Sequence, residues 1–256
     1  MGEQADGSTG AEVSGTFSAA GDEKVPKMSG GPRARVLGEV AAEVLSARRE
    51  HPVRVALDGC SAAGKTTLAN ELAGVLRWHT AREVIRAELD YFKRAPELRT
   101  TYPIESSESY YYEVYDYDAI RERLLKPLGP GGDRRYVNGL RDTSARTQLA
   151  VPPRTAAPDA ILIADGTFLQ RPELNNYWDL RIYVHVTFET VLRRGAVRDA
   201  AWMDSREAAA HRYRTRYIPG ERLYINQIHP ADRAQLVLNN EDPATLTITR
   251  RPAPRR

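Results

Sequence analysis

Val53 to Asn70 reads VRVALDGCSAAGKTTLAN. Val53, Val55, Ala56 and Leu57 form the short apolar run of a strand buried on both faces. Gly59, Gly64, Lys65 and Thr66 then fit the pattern G-x-x-x-x-G-K-[ST], and Leu68, Leu72, Val75 and Leu76 recur at the spacing of one helix face. Strand, glycine-rich loop and helix in that order are the context in which the pattern grips phosphate. Glycines let the backbone curl with its N–H groups inward, and the helix start adds partial positive charge. Gly59, Cys60, Ser61, Ala62, Ala63, Gly64, Lys65, Thr66 and Thr67 are therefore the expected nucleotide contacts. Lys65 is expected against the β- and γ-phosphates, Thr66 on Mg²⁺, and Thr67 near the α-phosphate.

Working outward, Met1 to about Pro32 is rich in Gly, Ser, Ala and acidic residues without apolar periodicity, which predicts a disordered leader over 1–32. One folded domain is expected over 33–250, followed by a basic tail at 251–256. Val36, Leu37, Val40, Ala41, Val44 and Leu45 mark an amphipathic helix ahead of the first strand. The net charge of +3 in 256 residues gives no basic field that argues for nucleic acid. No apolar stretch approaches the ~20 residues that span a bilayer. The single cysteine excludes an intrachain disulfide. These features predict a soluble, cytoplasmic protein with neither nucleic acid nor membrane as partner; self-association into a homo-oligomer stays open. Cys60 is read as filling a permissive loop position rather than as an activated thiol.

Arg82 to Leu89 reads as a strand that presents Asp90-Tyr91-Phe92 at its C-terminal end, the edge where open α/β sheets gather ligands. Asp90 is thus a catalytic candidate, with an ordinary turn aspartate as the alternative. Pro96 to Tyr117 is crowded with Tyr, Ser and Glu, and an aromatic face such as Tyr115 can stack on a base. Asp118 is read as the N-cap of a helix carrying Ile120, Leu124 and Leu125. Arg134 to Pro153 reads as a loop or hairpin. Ala160 to Ala164 is a second buried strand that delivers Asp165 to the same sheet edge as the phosphate loop, where a carboxylate can hold Mg²⁺ directly or through water. Arg181 to Thr187 is a further strand, and Phe188 to Ala200 a helix with Arg193, Arg194 and Arg198, either a lid over the γ-phosphate or a solvated face. Arg206, Arg212, Arg214 and Arg216 continue on a second helix, where surface pairing with Asp204 and Glu207 is expected. Gln235 to Leu238 is expected as the final strand.

Together these segments resemble the uridine kinase and phosphoribulokinase branch of the P-loop kinases, and uridine kinase-like proteins most of all. The likeness runs from about Ala34 to Pro243, through DGCSAAGKTTLA, DYF, YDYD, ILIADGTFLQRPEL with WDLRIYV, RRGAVRD and YIPGERLYI. It implies an α/β fold, a parallel sheet flanked by helices with a lid and a substrate-binding insertion. It also implies ATP and Mg²⁺ as cofactors and a small-molecule hydroxyl, nucleoside-like, as acceptor. By resemblance, Asp90 accepts or orients the acceptor hydroxyl proton, Arg194 and Arg198 match lid arginines, and Arg193 contacts substrate or phosphate. Asp165 stands where a glutamate is frequent in the family. Tyr91, Tyr115, Asp116, Asp118, Tyr136 and Asp142 fall in the acceptor-reading segments. YVNGLRD, from Tyr136 to Asp142, lacks the histidine associated with pyrimidine recognition, so the base stays open.

Two other readings stand beside the nucleoside kinase. One is a kinase of another sugar-bearing alcohol, such as a nucleoside-type natural product. The other is a nucleotide-dependent switch, disfavoured because Asn239-Asn240-Glu241-Asp242 lacks the lysine of a guanine-reading segment and no LSGGQ is present.

Overall fold

The computed structural model describes residues 30–250, with Arg250 described in its backbone alone. The expected leader falls outside the described residues as far as residue 29, and the 251–256 tail does so entirely. Helix α1, Pro32–Ser46, opens with proline in its first turn, where a missing N–H costs nothing, and buries Val36, Leu37, Val40, Ala41 and Val44. Strand β1, Val53–Gly59, is buried at every position. Helix α2, Lys65–His79, starts directly from Gly64. Strand β2, Val84–Glu88, runs into a short 3₁₀ turn, Leu89–Phe92.

The next stretch carries single wide helical turns at Ser109–Glu113 and Arg121–Leu125, the second continuing helix α3, Tyr117–Ile120. The cap of α3 is Asp116, whose carboxylate accepts from Ala119 N–H at 2.9 Å; Asp118, expected in that role, lies within the first turn and pairs with Arg121. Strands β3, Arg135–Tyr136, and β4, Arg154–Thr155, form the antiparallel ribbon that closes the expected hairpin. Strand β5, Ile161–Gly166, follows, then helix α4, Pro172–Asn175, and strand β6, Leu180–His185. Helix α5 is Phe188–Arg198. Helix α6, Arg206–Arg212, passes through a wide turn at Tyr213–Tyr217 into helix α7, Ile218–Ile228. Helix α8, Pro230–Arg233, leads to strands β7, Leu236–Asn239, and β8, Thr247–Arg250.

The main sheet has the order β2-β5-β1-β6-β7-β8, parallel except for β8, which pairs antiparallel with β7 and extends the sheet beyond the strand expected to be last. Adjacent residues of the central strands feed opposite layers. Val53, Val55 and Leu57 of β1, with Ile161 and Ile163 of β5, pack under α1 and α2. Ala56, Leu162 and Ala164 face a second layer built from Phe168, Tyr110, Tyr111, Tyr115, Leu124 and Tyr224. Most of the tyrosines in the 110–117 segment are thus core. Register brings Asp58 opposite Gly166 and Leu57 opposite Asp165, so the phosphate loop and the Asp165 carboxylate leave the sheet at one level. β2 brings Glu88 level with Asp165 on the other side.

Candidate active site

The phosphate loop is shaped by two close approaches. Gly59 has φ +153°, and a Cβ there would meet Val184 O on β6 at 2.5 Å; Gly64 has φ +89°, and a Cβ would meet the Asn240 amide at 2.6 Å. Side chains are excluded at both, so the motif glycines are required by sterics as well as by turn geometry. Leu68 N–H reaches the Gly64 carbonyl at 3.0 Å, and the preceding amides of the first turn are those that a helix start offers to an anion. Lys65 Nζ lies back across the loop and donates to Cys60 O at 2.7 Å. Burial pushes the Cys60 thiol well above its ordinary value, which fits a space-filling residue and not an activated one.

Thr66 Oγ1 donates to Asp165 Oδ2 at 2.6 Å, while Asp165 Oδ1 is held by Arg86 Nη2 of β2 at 2.6 Å. A hydroxyl and a carboxylate side by side at the loop suit a hard cation that takes its other ligands from phosphate and water. Thr66 and Asp165 would hold Mg²⁺, and with both oxygens of Asp165 engaged, contact through water is favoured. Arg86 is a member of this cluster that sequence reading missed. Beside it, Glu88 is pushed up by burial and by the Asp165 charge, with Asp90 adding to the shift.

Asp90 sits in the turn after β2, its side chain 48% exposed. Its Oδ1 accepts from Tyr115 OH at 2.9 Å, its Oδ2 is 3.2 Å from Lys93 Nζ, and Tyr115 OH is 3.0 Å from Thr167 Oγ1. Desolvation would raise the Asp90 carboxyl, but Lys93, the Tyr115 hydrogen bond and Lys65 together hold it below the usual carboxylate range. Asp90 is therefore ionised at neutral pH and fixed in direction, as an orienter of a hydroxyl must be. Lys93 and Thr167 were not singled out in the sequence.

The expected arginines divide. Arg198 binds Asp199 at 2.7 Å and Tyr213 OH at 3.1 Å. Burial works against its charge, but Asp199 and Tyr213 outweigh it and push it up, with a smaller contribution from the Asp90 carboxylate. Arg194 instead donates to Asn240 O and Glu241 O at 3.0 and 2.8 Å, bracing the loop after β7 whose Asn240 amide donates to Ala63 O at 2.8 Å. Arg193 is exposed on the same helix and touches Thr190 Oγ1 at 3.2 Å. Arg212 and Arg216 take Glu105 as their carboxylate, at 2.7 and 3.9 Å, in place of the expected Asp204 and Glu207.

Of the acceptor-reading candidates, Tyr115 reaches Asp90. Tyr91 carries the insertion, its carbonyl accepting from Leu140 and Arg141 N–H at 2.9 and 3.0 Å. Asp116 is occupied as the α3 cap and Asp118 by Arg121. Tyr136 is 1% exposed in the second core layer, and Asp142 closes its own loop through Ser144, Arg146 and Thr147. The latter two side chains are thus already engaged, although the Asp142 loop itself lies against the Asp90 turn, where Thr143 O accepts from Lys93 Nζ at 3.2 Å. A cavity of 550 Å³ lies at the other end of β1, lined by Arg54 and the Pro127–Asp133 turn and by none of these residues.

On the loop's far side, Glu221 of α7 is 1% exposed, and its Oε1 accepts from Ser61 N–H at 2.6 Å and from Tyr110 OH at 3.5 Å. Burial raises the Glu221 carboxyl, and its Oε2 has no hydrogen-bond partner among the described residues. A carboxyl raised in the folded state favours folding most below its unfolded value and loses that contribution as pH rises through the folded value. Glu221→Gln keeps the shape without the charge. The variant is expected to melt about 2–4 °C above the parent at pH 8, the scale of ~1 kcal/mol in a chain this size, with the difference vanishing near pH 4. A pH series of thermal melts checks this; a constant offset between the two proteins contradicts it.

No family model matches the chain, and no curated protein does. Solved structures do match. A possible uridine kinase from Bacillus stearothermophilus aligns with TM-score 0.62 at 20% identity, over 79% of this chain and 97% of its own. A candidate fructose transport system kinase from Silicibacter sp. TM1040 aligns at TM-score 0.60 and 22% identity, over 74% and 94%. A D-glycerate 3-kinase from Cryptococcus neoformans aligns at TM-score 0.51 and 10% identity, over 80% and 94%. At these identities the likeness is one of fold, and the fold is that of the P-loop kinases. The resemblance drawn from the sequence segments falls in the same group.

Proposed function

We propose that this protein transfers the γ-phosphoryl group of ATP to a hydroxyl of a small sugar-bearing molecule, the 5′-hydroxyl of a uridine- or cytidine-like nucleoside being the first acceptor to test. The observation that carries the reading is the placement of two charged centres along one edge of the sheet. On one side stand the phosphate loop, Lys65 and the Thr66–Asp165 pair; on the other stands Asp90, ionised and fixed by Tyr115 and Lys93. Mg²⁺, when bound, supplies charge neutralisation on the transferring group. Lys65 leaves the Cys60 carbonyl to meet phosphate oxygens, and the loop amides hold the rest of the chain in line. Asp90 aligns the acceptor hydroxyl and takes its proton, while Arg198, from α5, adds positive charge on the acceptor side.

A kinase of another sugar-bearing alcohol is the second reading, supported by one observation: the Tyr136 ring is spent on core packing and the Asp142 carboxylate on its own loop turn. Product mass from ATP with a panel of nucleosides, sugars and sugar acids tests the reading. A product 80 mass units heavier than one acceptor, dependent on Lys65, is expected from the addition of one phosphoryl group. ADP release that no acceptor accelerates and that Lys65→Ala leaves intact overturns it.

A further inference from the structure

Across the Tyr110 ring from the phosphate loop, two guanidinium groups share one exposed carboxylate. Arg216, at the junction of α6 and α7, is 5% exposed, and its Nε has no hydrogen-bond partner among the described residues. The carboxylate nearest to it is Glu105, 3.9 Å from Nη1, and Glu105 gives its short contact, 2.7 Å, to Arg212 and is itself 61% exposed. Arg216 lies 5.7 Å from the Tyr110 ring and 5.8 Å from the Tyr217 ring, and Tyr110 OH is 2.9 Å from Ser61 Oγ in the phosphate loop. One aromatic ring therefore separates this cation from the nucleotide site.

Arg99 approaches from the segment after Asp90. Its guanidinium donates to the Arg94 carbonyl, and among the described residues no carboxylate lies within 4.0 Å of it. Burial and the Arg216 charge push Arg99 down to about 10, and its other electrostatic neighbours include Tyr115, whose hydroxyl holds Asp90. Glu113, which also faces Arg99, is already committed to the Thr101 and Tyr102 amides at 2.8 and 3.3 Å. Half-buried like charges with one solvent-facing carboxylate between them are costly unless something anionic joins them, and an unpaired guanidinium N–H in a buried position is costly by itself.

We propose that Arg216, with Arg212, binds an oxyanion carried by the acceptor, a phosphate ester or a carboxylate, and that Glu105 occupies the place of this group when no acceptor is present. The inference rests on the kinase reading above and narrows its acceptor to an anionic sugar-bearing alcohol. The oxyanion sits at the Arg216 end of the site and the reacting hydroxyl at Asp90. Tyr110 and Tyr115 form the wall between the oxyanion and the transferring phosphoryl group, so two anions are kept apart by aromatic rings.

The test uses the full chain saturated with Mg²⁺ and a non-hydrolysable ATP analogue, so that the phosphate loop is filled. D-ribose, D-ribose 5-phosphate and D-ribonate are titrated by calorimetry into the parent, Arg216→Gln and Arg216→Lys. At least one of the two anions is expected to bind about 10-fold or more tightly than D-ribose, the scale of one charge-assisted hydrogen bond. Arg216→Gln should erase that preference and Arg216→Lys restore part of it, with affinity for the ATP analogue unchanged. Preference for D-ribose 5-phosphate assigns a phosphate ester, preference for D-ribonate a carboxylate. Equal binding of the three ligands by the parent, or an anion preference that survives in Arg216→Gln, overturns the inference and leaves the kinase reading intact. Failure of the parent to bind the ATP analogue overturns the kinase reading, and the inference with it.

Discussion

Lys65→Ala is expected to lower kcat by about 10²–10³-fold, the usual cost of deleting one preorganised group that meets developing charge in a transition state. The side chain is buried, and its hydrogen bond to the Cys60 carbonyl is the contact that phosphate oxygens would replace. The loop's shape does not depend on it: Gly59 and Gly64 are held by the closeness of Val184 and Asn240. Nucleotide should therefore still bind, more weakly, while turnover collapses. Single-turnover rates with saturating ATP separate the two effects, and a variant retaining more than a tenth of parental turnover would show that the lysine has been misread.

Asp90→Asn is the second large effect, a loss of roughly 10²-fold or more in kcat with ATP affinity near the parental value. The amide keeps the size of the carboxylate and can still accept from Tyr115, so the turn that carries it has no reason to unfold. What disappears is the charge that Lys93, Tyr115 and Lys65 hold in place, and with it the capacity to draw a proton from the acceptor hydroxyl. Because those neighbours keep the parental carboxyl below its usual range, Asp90 should impose no acid limb on kcat/KM near neutral pH. Full turnover by the variant would remove Asp90 from its assigned role.

The elements that the sequence announced are those whose signal is local. β1 and β5 are buried on both faces and so read as contiguous apolar runs, β6 shows itself by alternation, and the loop before α2 declares itself through glycines at fixed spacing. Asp90 and Asp165 were legible because a carboxylate after such a run lands on the ligand edge of a parallel sheet. What stayed hidden are partnerships across long sequence separations. Arg86 looks like any polar residue in a short strand until Asp165, 79 residues on, is placed beside it. Glu221 reads as the acidic start of a helix until Ser61, 160 residues earlier, is found against it. Arg216 has the spacing of a solvated helix face, and only the docking of the 99–117 segment over α6 and α7 makes it a buried cation. Asp118 lost the cap of α3 to Asp116, two positions away, because two aspartates near a helix start are equivalent to pattern and distinct to geometry. β8 is a four-residue edge strand, too short for alternation to stand out.

Arg206 to Ile228 runs from α6 through the wide turn into α7, carrying Arg212 and Arg216 at one stage and Glu221 and Tyr224 at the next. Tyr224 donates to the buried Asp58 carboxylate at the end of β1, and Glu221 holds Ser61, so this rod is pinned to the donor half of the site just below the place where it carries the two cations. A displacement along its axis is shared by both halves. Thermodynamic reciprocity then applies: to whatever degree an occupant at the arginines biases the rod's position, it alters the grip on nucleotide by a factor that nucleotide returns in full. Synergy between donor and acceptor would need no messenger beyond that length of helix.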